Sequence, residues 1–81
     1  MTEFERRVLR AADEASKANN GNWPANDLIA EHLGGVDAIV VADALRSLQS
    51  NGYLRLEGAF GGRAFVRLIT PKGYRALRAD D

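Results

Sequence analysis

The sequence predicts an α+β fold: three helices, then a two-stranded β-hairpin, then a short closing helix. Three observations carry this. Before Asn51, apolar residues recur at three- and four-residue steps, the spacing of a helix with one buried face. From Tyr53 to Ile69 the pattern changes to short runs around Gly58, Gly61 and Gly62, where positive φ costs little. Thr70-Pro71 then supplies an N-cap and a proline for the first helical position.

Thr2-Glu3-Phe4-Glu5 fits a capping box for the first helix. Phe4, Val8, Ala11, Ala12 and Ala15 form its apolar stripe, and Arg6, Arg7, Arg10, Asp13, Glu14 and Lys17 fall mainly on the other face. Asn19-Asn20-Gly21 ends it, because these residues tolerate left-handed backbone. Trp23, the sole tryptophan, sits in a short connector and is expected to plug the core. Pro24 suits the first turn of a second helix, with Leu28, Ile29 and Leu33 facing inward. Gly34-Gly35 breaks that helix, Val36 is expected to be buried in the turn, and Asp37 caps a third helix. Val41, Ala44, Leu45 and Leu48 share one face of it, and Asn51-Gly52 terminates it.

In the hairpin, Leu54 and Leu56 alternate with Arg55 and Glu57, so one face is apolar and the other charged. The return strand is less regular. Val66 and Leu68 share a face and are expected to pack on the helices, with Phe65, Arg67 and Ile69 opposite, unless a bulge shifts the register. The last helix runs from Pro71 to about Ala79, with Tyr74 and Leu77 closing the core and Lys72, Arg75 and Arg78 in solvent. Gly73 costs such a helix about 1 kcal/mol against alanine, which implies a close backbone approach there.

The 81 residues are expected to form one domain spanning 1–81. Cysteine is absent, which excludes disulfides and thiolate metal sites. No apolar run approaches the roughly 20 residues of a membrane span, and the start, MTEFERRVLR, lacks the apolar centre of a signal peptide. A cytoplasmic protein without a membrane partner is the expectation. His32 is the lone histidine, and no phosphate loop, metal-ligand cluster or nucleophile–base pair stands at recognisable spacing. The chain is therefore expected to be no enzyme and to need no cofactor, metal or small-molecule substrate.

Net charge is zero, but its distribution is uneven. Residues 53–79 hold six basic groups (Arg55, Arg63, Arg67, Lys72, Arg75, Arg78) against Glu57. Residues 1–52 hold five basic against eight acidic groups, and Asp80-Asp81 ends the chain. A basic hairpin on an acidic body attracts phosphate locally, while the neutral total disfavours strong nonspecific binding to nucleic acid.

Helix, tight glycine turn, helix is the helix-turn-helix arrangement, and a hairpin after it is a wing. The chain resembles the winged helix-turn-helix superfamily, and within it the DNA-binding lobe of MarR-type bacterial regulators. Three stretches carry the resemblance: Ile29 to Gly34 (IAEHLG), Leu45 to Leu54 (LRSLQSNGYL), and Arg63 to Gly73 (RAFVRLITPKG), with Arg63 six residues before Ile69-Thr70. The resemblance implies a winged helix: a three-helix bundle with a helix-turn-helix, a two-stranded wing and a short C-terminal helix. It further implies double-stranded DNA as partner, the third helix in the major groove and Arg63 in a minor groove. Nucleoid association would follow from DNA binding.

The chain also departs from that pattern. The exposed start of the third helix reads Asp37-Ala38-Ile39-Val40-x-Ala42-Asp43, with Asp43 where the family usually has arginine, and Gly61 replaces an acidic residue two before the wing arginine. The long flanking helices that pair MarR-type proteins are not found in these 81 residues. Two functional readings follow. In the first, a small DNA-binding regulator or accessory protein holds backbone and minor groove through Arg63, Arg55, Arg67 and Lys72, with Arg46 and Gln49 toward the end of the third helix. In the second, the domain is a protein-interaction module, and Ile39 and Val40 form an apolar outer patch for a homodimer or another protein.

Overall fold

The computed structural model describes residues 1–58 and 63–79. Four helices, α1 (Glu3–Ala18), α2 (Asn26–His32), α3 (Ala38–Ser50) and α4 (Pro71–Arg78), accompany one antiparallel hairpin, β1 (Leu54–Glu57) and β2 (Phe65–Ile69). This α+β arrangement is compatible with a winged helix. No helix among the described residues is long and apolar enough to cross a membrane. Gly61, Gly62 and Asp80-Asp81 lie outside the described residues.

The start of α1 is held as expected. Thr2 N donates to the Glu5 carboxylate at 2.7 Å, and Glu5 N donates to the Thr2 hydroxyl at 3.0 Å. Val8, Ala11, Ala12 and Ala15 are buried, Phe4 is half-buried, and Leu9 joins the core although it lies outside the expected stripe. The helix packs against α2, α3 and α4, so three neighbours widen the buried face beyond a single stripe.

Glu5 also lies near Ser47 of α3. A hydrogen bond from Ser47, then one from the Thr2 backbone, holds its carboxyl below the usual 4.5. Because the folded value is depressed, the stabilisation is present above the unfolded pKa and is lost as pH falls through the folded one. Acid titration of stability is expected to show a smaller loss over this window for Glu5→Gln than for the wild type. Equal acid slopes in urea-unfolding series would remove the Glu5 contribution.

Gly34 (φ 89°) and Gly35 (φ 95°) form the turn between α2 and α3 in left-handed backbone, which a side chain would strain. Val36 in that turn is half-buried against the core. The Asp37 carboxylate then accepts from Ile39 N at 2.8 Å as the α3 N-cap. Val41, Ala44, Leu45 and Leu48 are buried as expected, and Ala42 with them.

The return strand resolves in favour of a bulge. Arg55 pairs with Leu68 and Leu56 with Val66, so Arg67 is the extra residue. Val66 and Ile69 turn inward, and Leu68, expected in the core, is 42% exposed. Pro24 is not in the first turn of α2, whose N-cap is Ala25. Val66 N donates to Pro24 O at 2.9 Å, and Ala25 bridges Phe65 antiparallel. The connector thus lies beside β2 as a strand stub. Pro24 is buried there, and Trp23 is 47% exposed rather than a core plug.

In α4 the Thr70 hydroxyl accepts from Gly73 N at 3.1 Å and donates to Gly52 O at 2.6 Å. Leu77 is buried, but Tyr74 is 43% exposed and does not close the core. Gly73 and Leu77, four residues apart, form the inward edge of this short helix.

Candidate nucleic-acid interface

The outward side of α3 is open. Ile39, Val40, Asp43, Arg46, Gln49 and Ser50 are all accessible, so no element among the described residues covers that side. The inward residues are those the helical period selects, and rotation of the helix buries neither Ile39 nor Val40. Toward its C-terminal end, α3 meets the hairpin: Leu56 N donates to Gln49 Oε1 at 2.7 Å. Arg46 and Gln49 line one shallow depression with Leu56, Glu57, Gly58 and Ala64. The two candidate groups late in α3 therefore adjoin β1 and Ala64, at the entry to β2.

Each expected basic group is exposed, and most have a partner within the chain. Arg63 reaches Asp27 at 3.2 Å, Arg67 reaches Glu57 at 3.6 Å, and Arg46 reaches Asp43 at 2.7 Å. Arg55 makes no ion pair among the described residues. Lys72 Nζ donates to Asn51 O at 2.6 Å, at the C-terminus of α3, and lies 4.5 Å from the centre of the Tyr53 ring. All three ion pairs leave both side chains more than half exposed. Exposed pairs contribute roughly 0.2–1 kcal/mol and weaken with salt, so they do not lock the arginines away from a polyanion. An ammonium has three donors and a glutamine amide two, so the bonds of Lys72 and Gln49 leave donors for a ligand.

Two aromatic contacts accompany the arginines. Arg63 lies 5.2 Å from the centre of the Phe65 ring, and Arg67 lies 5.9 Å from that of Trp23. These contacts hold the guanidinium groups near the strand surface. They also place the sole tryptophan beside one of the candidate DNA-binding groups.

Asn26 is what the sequence did not reveal. It is buried, and it joins three elements: its amide donates to Ala38 O at 2.9 Å, its carbonyl accepts from Ala64 N at 3.1 Å, and its own backbone N donates to Ala64 O at 3.0 Å. The start of α2, the start of α3 and the entry to β2 are fixed to one another by this side chain. An asparagine at a helix start reads as an ordinary turn residue, and only the fold brings Ala38 and Ala64 to it. Asp27, next to it, likewise carries no sign in the sequence that it partners Arg63. No group of His, Asp or Glu among the described residues is arranged to hold a metal ion.

No protein-family model, curated protein or solved structure matches this chain.

Proposed function

We propose that the chain is a winged-helix protein that binds double-stranded DNA, with α3 toward the major groove and the hairpin as its wing. The observation that carries this reading is the uncovered outer side of α3 next to a hairpin bearing exposed Arg55, Arg63 and Arg67. A helix of that kind needs an open face to enter a groove, and a wing needs exposed cationic groups beside it. Affinity comes mainly from phosphate contacts by Arg55 and Arg67, with Arg63 toward the minor groove and Lys72, Arg46 and Gln49 supporting.

Titration with random-sequence duplex at two salt concentrations tests this directly. Anisotropy of labelled DNA reports binding, and Trp23 emission reports whether the surface beside Arg67 is occupied. Removing one phosphate-neutralising charge lowers the salt slope by about 0.9, so replacing Arg55, Arg63 and Arg67 together by alanine is expected to lower it by roughly 2–3. Weakening is expected about equally across sequences. Asp27→Asn frees Arg63 and removes a carboxylate, and is expected to tighten binding about threefold at low salt. If the triple variant keeps the affinity and slope of the wild type, the reading is wrong.

A further inference from the structure

The start of α3 presents apolar rather than hydrogen-bonding groups. Ile39 is 69% exposed and Val40 is 47% exposed. Both are β-branched, so in a helix each holds essentially one χ1 rotamer and gives up little freedom when bound. One turn on, the Asp43 carboxylate is already paired with Arg46 at 2.7 Å, which offsets its repulsion of phosphate. In a helix-turn-helix, the N-terminal residues of the second helix meet base edges. Most of what a base edge offers in the major groove is polar, and the apolar exception in ordinary DNA is the 5-methyl group of thymine.

We propose that Ile39 and Val40 read pyrimidine 5-methyl groups in the major groove, so that the protein prefers thymine-bearing sites. The inference rests on the DNA-binding reading and adds selectivity to it. The size of the patch favours DNA over a protein partner. A stable protein interface buries about 800 Å² on each side, far more than two side chains offer. The hairpin that adjoins α3 carries cationic groups suited to a phosphate backbone, and methyl groups suit the two aliphatic chains. Burying one methyl group is worth about fourfold in affinity, so a site placing one methyl against each residue gains about fifteenfold.

The experiment compares the wild type and an Ile39→Ala, Val40→Ala variant on one A·T-rich duplex, made with thymine or with uracil. Uracil deletes the methyl group and leaves the minor-groove groups that Arg63 meets unchanged. Wild type is expected to bind the uracil duplex about fifteenfold more weakly, and the variant, whose replaced side chains are outside the core, to bind both within twofold. A G·C duplex carrying 5-methylcytosine is expected to gain affinity over its unmethylated form for the wild type alone. Equal wild-type affinity for thymine and uracil duplexes overturns the inference and leaves DNA binding standing. A uracil penalty that persists in the variant overturns it as well, because the penalty then belongs to the duplex. Absence of binding to either duplex at low salt overturns the DNA reading itself. A wild type that sediments as a dimer, with Ile39→Glu a monomer, places a second copy on the patch and also overturns the inference.

Discussion

Replacing Gly73 by alanine is expected to destabilise the protein by about 2–4 kcal/mol, lowering the midpoint of thermal unfolding by roughly 10–20 °C for a chain of this size. Local helix propensity pulls the other way, since alanine is favoured over glycine by about 1 kcal/mol inside a helix. Packing decides the sign. A Cβ at Gly73 would fall on the Tyr53 carbonyl oxygen and within 2.6 Å of Ile69 Cγ2. Ile69 is a buried side chain on β2, and the Tyr53 carbonyl is backbone with no rotamer to escape into. Tyr53 is also pinned from both sides: its N–H donates to Leu48 O at 2.9 Å, and its carbonyl accepts from Thr70 N at 3.1 Å. Relief therefore requires α4 to lift from the start of β1, breaking the Thr70 bond. Arg75→Ala, on the exposed side of the same helix, is expected to stay within about 0.5 kcal/mol of wild type. Urea unfolding of the two variants is the measurement, and a Gly73→Ala protein as stable as wild type would disprove the close approach.

Asn26→Leu is expected to cost about 3 kcal/mol and to act unevenly over the structure. Leucine keeps the number and branching of the side-chain heavy atoms but is bulkier, so overpacking adds to the polar loss at this buried site. The Ala64 N–H, on a residue that is 4% exposed, is left without its acceptor. An unsatisfied buried donor costs about 1–3 kcal/mol. The bond to Ala38 O at 2.9 Å goes too, and with it the link between the start of α3 and the hairpin. Hydrogen exchange is expected to accelerate most at Ala64 and its β2 neighbours. DNA affinity should fall further than the reduced stability alone explains, because the entry to β2, beside Arg63, is no longer held to the start of α3. Uniform loss of protection with unchanged affinity of the folded fraction would show that Asn26 supports the core and nothing more.

Much of the fold was legible because the signals were local. The Thr2–Glu5 box, the Asp37 cap, the left-handed Gly34-Gly35 turn and the Thr70-Pro71 start each depend on a few neighbouring residues. Gly73 was legible as an anomaly, a poor helix former kept for a packing reason. The misread positions depend on distant partners. Trp23 is outside because the connector runs as a strand stub against β2 and buries Pro24 instead. Leu68 is outside because an extra residue at Arg67 shifts the strand by one position. Tyr74 is exposed because α4 spends its short inward edge on Gly73 and Leu77. Of the candidate site, the residue types could be named from sequence. Their pairings with Asp27, Glu57 and Asp43, and the three-way role of Asn26, required coordinates.

The base of the hairpin behaves as a buckle. Four bonds fasten the chain where it enters and leaves: Thr70 N to Tyr53 O, the Thr70 hydroxyl to Gly52 O, Tyr53 N to Leu48 O, and Lys72 Nζ to Asn51 O. With both ends fastened there, the pairing of β1 with β2 is anchored at the base, beside α3 and α4.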